Sequence, residues 1–242
     1  MEDILDVYQR PFDSNLPLIC MDKKPIQLLD DAYPTLPATP SHAVRYDYEY
    51  KRNGTASIFM FTEPLGGWRK VNARERRTKI DWATEIRELL EIDYPDAEKV
   101  ILVCDNLNTH TLGALYAAFK PEDAFRLLKR LEIHYTPKHG SWLNIAEIEL
   151  SALTRQCFDR RIKNFDLLKC ETKKWEQNRN DNQKSVDWQF TTSDARIKLK
   201  RLYPQILMTS CSSLFEIFIP FALNRCVLFP DSDIPCTFKI DF

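Results

Sequence analysis

The sequence predicts an α/β fold in which helices cover both faces of a mixed sheet. Three observations support this prediction. Strands come first along the chain, helices and strands then alternate, and residues 100–103 form an unbroken apolar run, which is typical of a strand buried on both faces. A chain of 242 residues has the length of one large domain, or of one domain with an appended piece.

The first strands are predicted from short apolar segments and from turn signals. The segment LPLICMD (16–22) is an apolar strand that ends in an aspartate. Residues 46–64 are predicted to form two strands joined at Asn53-Gly54, a dipeptide that is typical of hairpins. A third strand is predicted over 68–74, after two glycines.

Helices and strands alternate in the next part of the chain. Apolar residues recur at helical spacing in five segments, and Pro121 occupies a position that is favoured in the first turn of a helix. The predicted helices are 78–93, 111–119, 121–131, 142–158 and 165–180, and the predicted strands between them are 99–105 and 133–137.

The last part of the chain differs in composition from the rest. Residues 205–242 are dense in Phe, Ile, Leu and Pro and show no clear period. We therefore expect residues 1–204 to form one folded domain. The remainder is interpreted as an atypical hydrophobic tail, produced by readthrough or poorly ordered.

Composition excludes several classes of protein. With 34 basic and 35 acidic residues the net charge is −1, so the overall charge does not indicate a nucleic-acid partner. Seven cysteines include no CxxC pair, which argues against a zinc ribbon or a disulfide framework and for reduced thiols. The acidic start MEDILDVYQR is no signal peptide, and no apolar run approaches the roughly 20 residues that span a bilayer. We expect a cytoplasmic protein.

Two aspartates follow predicted strands directly. Asp22 and Asp105 each end an apolar strand, and ligands of open α/β sheets gather at the carboxyl ends of strands. If these strands are neighbours, two like charges converge, which is unfavourable unless a cation lies between them. A hard divalent ion with oxygen ligands meets this need.

A third carboxylate is expected from the helix that starts near Trp142. At 100° per residue, Glu147 lies at the edge of the apolar face, whereas Glu149 lies on a side that can reach water. A carboxylate beside a core face is costly unless something binds it. Glu147 is therefore the preferred ligand.

Other interpretations stay open for each residue taken singly. A lone aspartate after a strand often caps the next helix, and a lone helical glutamate is usually a surface residue. A zinc site would use Cys104, His110, His134 and His139, but their spacing matches no recognised zinc pattern. Only the combination of two aspartates and one glutamate favours a metal site.

Three segments resemble the catalytic blocks of a known family. These segments are MDKKPIQLL (21–29), LVCDNLNTHT (102–111) and YTPKHGSWLNIAEIELSAL (135–153). They resemble DDE transposases, in particular the mariner-related transposases of bacterial insertion sequences, which are DDE superfamily endonucleases. The segment WQFTTSDARIKLKRLYP (188–204) resembles the end of that catalytic domain.

The resemblance implies a ribonuclease-H-like fold and a DNA-cutting activity. Asp22, Asp105 and Glu147 would hold two Mg²⁺ ions, for which Mn²⁺ can substitute, and would cleave and join DNA strands at transposon ends. The implied partners are double-stranded DNA, further copies of the chain on that DNA, and a separate helix-turn-helix half. The alternative is a catalytically silent remnant that only binds nucleic acid or a partner subunit.

Neighbouring residues receive weaker roles from the same resemblance. Lys23 places a positive charge where the family leads us to expect an acidic residue. Trp142 is expected to belong to the core. The residues expected to support the site or to contact DNA are Asn106, His110, Lys138, His139 and Asn144.

Overall fold

The computed structural model describes residues 1–34, 36–45, 48–182 and 185–203, and these residues fall within one compact unit, Met1–Tyr203. They contain a five-stranded mixed sheet in the order β3-β2-β1-β4-β5. The first three strands pair antiparallel, and β4 lies parallel to both β1 and β5. The strands are β1 (Leu18–Asp31), β2 (Tyr50–Glu63), β3 (Trp68–Arg74), β4 (Val100–Asp105) and β5 (Leu131–Thr136).

Helices cover both faces of this sheet, as predicted. Each face has its own apolar core, one beneath α1, α5, α6 and α7, the other beneath α2, α3 and α4. None of the helices in the described part of the chain is long and apolar enough to cross a membrane. The helices are α1 (Glu2–Tyr8), α2 (Lys79–Glu88), α3 (Gly113–Ala118), α4 (Pro121–Lys129), α5 (Ala146–Cys157), α6 (Phe165–Asp181) and α7 (Thr192–Lys198).

The predicted hairpin at Asn53-Gly54 is wrong. Strand β2 is continuous through this dipeptide, and its register shifts there, so that Asn53 and Gly54 lie opposite the single residue Leu28. Gly54 has a φ of 106°, a conformation that glycine adopts at little cost. The dipeptide therefore forms a β-bulge, which inserts one extra residue into a strand and bends it.

Strand β1 also differs from its prediction. Its parallel pairing with β4 stops at Met21 and Cys104, but its antiparallel pairing with β2 continues to Asp31. Asp22 therefore lies inside a long strand, at the point where that strand leaves its parallel partner. The sequence predicted that β1 ends at Asp22, but only its pairing with β4 ends there.

The first and last described helices were not predicted. Helix α1 has only seven residues, too few to show a period in the sequence. Helix α7 begins with a capping box in which Thr191 and Asp194 bond each other's backbone N–H groups. That signal is visible in the sequence. The predicted tail, residues 205–242, lies outside the described residues.

Candidate active site

Strand alternation places the two aspartates on one face of the sheet. Cys20 and Val103 belong to the core beneath α5, whereas Met21 and Cys104 belong to the opposite core. Successive side chains of a strand alternate between faces, so Asp22 and Asp105 both point to the side of α5. Their strands are parallel neighbours up to Met21 and Cys104.

A buried amide fixes the start of α5 against β1. The side chain of Asn144 is 2% exposed, and its Nδ2 donates to the carbonyl oxygen of Met21 at 2.9 Å. Its Oδ1 accepts from the N–H of Ala146 at 3.1 Å. The backbone N–H of Glu147 donates to the carbonyl oxygen of Asn144 at 3.0 Å. This arrangement brings the first turn of α5, with Glu147, beside the Asp22 segment.

The exposure of the two glutamates of α5 is the reverse of the prediction. Glu147 is exposed, whereas Glu149 is 1% exposed and accepts hydrogen bonds from Arg69 and Arg179. Burial was therefore the wrong reason to prefer Glu147. The arginines come from β3 and α6, and a helical wheel of α5 alone gives no sign of them.

A cavity joins Glu147 to Asp22. It has a volume of about 340 Å³ and its lining also includes Lys24, Thr154 and Arg155. No local sequence pattern indicates these last three residues, because their positions relative to Asp22 depend on how α5 crosses β1.

The electrostatics of Asp22 reflect its position among acidic groups. The pKa of Asp22 is raised from 3.8 to about 7, chiefly because the carboxyl is buried and in part because of the charges of Asp105 and Glu147. The backbone N–H of Lys23, which donates to Oδ1 at 2.7 Å, opposes this rise, as does the Lys23 ammonium. The three predicted carboxylates therefore interact electrostatically.

Asp105 is held beside His110. The Nδ1 of His110 donates to the backbone oxygen of Asp105 at 3.2 Å and lies 2.5 Å from its Oδ1. This contact directs the Asp105 carboxylate toward the buried His110 ring.

Lys23 and His110 form a second contact at the same site. The Nζ of Lys23 donates to Oγ1 of Thr109 at 2.8 Å and to Nε2 of His110 at 3.0 Å. Since Nε2 accepts, the neutral ring carries its proton on Nδ1, facing Asp105. His110 is fully buried and stacks on Trp82 at 5.8 Å between ring centroids. His110 thus links the backbone of Asp105 to the ammonium of Lys23.

The other predicted site residues lie on loops at the same edge. Asn106, Lys138 and His139 are exposed, and His139 has a φ of 68°. Trp142 is 43% exposed and packs edge-on against Phe190 at 6.2 Å, so its predicted place in the core is wrong. It precedes α5 in a short 3-10 turn, Ser141–Leu143, rather than lying within the helix.

The donor set fits a hard divalent cation in kind, since it consists of carboxylate oxygens. Within the described ranges, however, no group of three or more His, Cys, Asp or Glu side chains is arranged to hold a metal ion. The three carboxylates share one face and one electrostatic field, but they do not form a closed coordination group.

Comparison with known proteins identifies the family. The sequence model of the DDE superfamily endonucleases matches residues 17–169, more than half of the chain, including Asp22, Asp105 and Glu147. None of the curated proteins compared with the chain matches it.

Solved structures give the fold. The Mos1 mariner paired-end complex with Mn is 16% identical, with a TM-score of 0.51 over 76% of this chain and 54% of that chain. The catalytic domain of Mos1 mariner transposase is 13% identical, with a TM-score of 0.46 over 76% of this chain and 87% of that chain. This chain thus spans about half the length of the full Mos1 chain. The predicted ribonuclease-H-like fold is confirmed, and the chain belongs to the DDE superfamily endonucleases.

Proposed function

We propose that this chain is the catalytic domain of a DDE transposase, which cleaves DNA strands at transposon ends and joins them to target DNA. One observation carries the proposal. Asp22 and Asp105 lie on neighbouring strands and face α5, and Glu147 of α5 lines the same cavity as Asp22. Membership of the DDE superfamily endonucleases supports it.

The three carboxylates would hold two Mg²⁺ or Mn²⁺ ions. Such ions, when bound, activate a water or a 3′-hydroxyl and stabilise the leaving oxygen at a phosphodiester. The rest of the chain orients the ligands. Asn144 fixes the helix of Glu147 on β1, and His110 holds the backbone of Asp105. Structures of Mos1 mariner complexes have been determined with Mn and with Mg.

The proposed partner is double-stranded DNA, both as transposon ends and as target. Structures of Mos1 include a paired-end complex with a left transposon end and a strand transfer complex. A helix-turn-helix half and further copies of the chain on the DNA also belong to the proposal.

A catalytically silent remnant is the second candidate. Two observations favour it: the described residues lack a closed group of metal ligands, and the half-buried Lys23 brings an ammonium to the carboxylates. Such a protein would bind DNA or a partner subunit without cutting DNA.

Nicking of a supercoiled plasmid that carries the ends of the parent element tests the proposal. We expect Mg²⁺-dependent nicking that Asp105→Asn and Glu147→Gln each abolish. Asp30→Asn is the matched control, because Asp30 lies on the same strand as Asp22 and its Oδ1 also accepts from the next backbone N–H, at 2.9 Å. DNA binding without nicking, at any Mg²⁺ or Mn²⁺ concentration, would establish the remnant instead.

A further inference from the structure

One side of α5 continues the candidate active site as a cationic surface. Glu147, Ser151, Thr154 and Arg155 line the same cavity, and their spacing of three or four residues puts them on one side of the helix. Lys24 lines it from β1. The acidic end of the cavity therefore passes into a basic end within two turns of helix.

The two cations at the basic end are Lys24 and Arg155. Among the described residues, neither Lys24 nor Arg155 lies within 4.0 Å of a carboxylate oxygen. Nearby arginines behave differently. Arg69 and Arg179, on β3 and α6, both bind Glu149. The positive charge of the cavity is thus left for an external anion.

Lys24 is also held in place. Its Nζ donates to Oγ1 of Thr154 at 2.8 Å, and Thr154 donates to the carbonyl oxygen of Leu150 at 2.6 Å. A lysine bonded to a neutral hydroxyl keeps its full charge and two further N–H donors. Thr154 is therefore a positioning residue that points Lys24 along the cavity.

We propose that Lys24 and Arg155 form a subsite for a backbone phosphate of the DNA strand that is cut, a few nucleotides from the scissile phosphodiester. This subsite rests on the proposed function. Lys24 follows Asp22 by two residues, about 7 Å along a strand. Arg155 follows Glu147 by eight residues, about 12 Å along a helix. Consecutive phosphates of one strand are farther apart through space than the about 3.4 Å by which the strand advances along the helix axis, so the bound phosphate lies within roughly three nucleotides of the metal site.

Salt-dependent DNA binding tests the subsite. Fluorescence anisotropy would be measured with one 30-base-pair duplex of mixed sequence, between 50 and 200 mM salt, for the wild type and for Lys24→Met/Arg155→Met. Loss of one phosphate contact lowers the slope of log affinity against log salt by about 0.9. When the salt concentration rises fourfold, the affinity of the double variant should therefore fall by a factor that is about 3.5 times smaller than the factor for the wild type. An unchanged slope overturns the proposal.

Controls separate this subsite from the metal site and from general charge. Lys129→Met removes an exposed lysine of α4, on the other face of the sheet, and should leave the slope unchanged. Thr154→Val should weaken binding less than Lys24→Met does, because it frees Lys24 without removing its charge. Calorimetric Mg²⁺ affinity should be the same in the double variant and the wild type; a loss there would mean that the cations only support the carboxylates.

Neutral linkages locate the phosphate. Single methylphosphonates would be placed one to six nucleotides on either side of the cleavage site in the nicked strand. A neutral linkage at one of the first three positions should reduce nicking by the wild type and have no further effect on the double variant. Efficient nicking without such coupling at any position refutes the subsite and leaves the proposed function intact. Absence of DNA binding and nicking in the wild type refutes both.

Discussion

Glu149→Gln should destabilise the domain without any change at the metal site. Glu149 is buried and accepts from Nη2 of Arg69 and Nη2 of Arg179, each at 2.8 Å. Removing one charge from a buried ion pair costs about 3–5 kcal/mol, because the other charge stays buried. Arg179 retains 19% of its side-chain exposure and can regain water, so we expect the lower end, about 3 kcal/mol. For a domain of this size that corresponds to a fall in Tm of roughly 6–12 °C.

The matched control is two residues away on the same helix. Glu147→Gln makes the same chemical change at an exposed position, so its unfolding free energy should stay within about 0.5 kcal/mol of the wild type. Thermal unfolding followed by circular dichroism, without added metal, gives both values, and plasmid nicking gives the activity. The expected pattern is a stable, inactive Glu147→Gln and an unstable Glu149→Gln.

Two results would refute this reasoning. A Tm of Glu149→Gln equal to that of the wild type would mean that the buried ion pairs contribute nothing. A large fall in the Tm of Glu147→Gln would mean that Glu147 is a structural residue. A double-mutant cycle with Arg69→Gln adds a third check, since residues in direct contact should show non-additive losses of stability.

Three further predictions follow from the geometry of the site and the sheet. Asp22→Asn should stabilise the metal-free protein at pH 8. The folded-state pKa of about 7 lies above the unfolded value, so ionisation of Asp22 lowers the free energy of unfolding progressively as pH rises from about 4 to 7. The substitution removes this loss. The gain in Tm should shrink to less than half at pH 5, and equal gains at both values would contradict the assigned pKa shift. Asn144→Ala should cost about 1–3 kcal/mol, because it leaves the buried carbonyl of Met21 without its donor, and calorimetry should show weaker Mg²⁺ binding; unchanged affinity would show that the amide does not position Glu147. Gly54→Ala should cost about 1–2 kcal/mol at its φ of 106°, whereas Gly113→Ala, in α3 with its nearest neighbour 3.8 Å from the added Cβ, should be neutral or stabilising in urea unfolding.

The sequence was sufficient for β3, β4 and β5 and for most helices. Strand β3 has the predicted bounds, and the apolar run before Asp105 is β4. These elements carry their own signals, namely alternation or a continuous apolar run. The bulge at Asn53-Gly54 was not predictable in the same way, because a dipeptide that favours positive φ serves a hairpin turn and a bulge equally well.

Partners from distant segments explain what was missed at the site. Helical periodicity places Glu149 toward water, yet Arg69 and Arg179 reach it from other elements and allow its burial. The position of Lys24 in the cavity depends on its hydrogen bond to Thr154, which lies 130 residues later in the chain. Pairwise contacts of this kind depend on the assembled fold rather than on a local pattern.

The hydrogen bond of the Asn144 amide determines where the chain can accept insertions without moving the three carboxylates. Counted along the chain, 147 − 105 − 1 = 41 residues separate Asp105 from Glu147, and they include α3, α4 and β5. Since the hydrogen bond to Met21 sets where α5 begins, insertions in the surface loops of that interval should leave the geometry of the acids unaltered. An insertion between Asn144 and Glu147 would rotate the glutamate away from Asp22, so the tightly constrained interval in this architecture contains only two residues, Ile145 and Ala146.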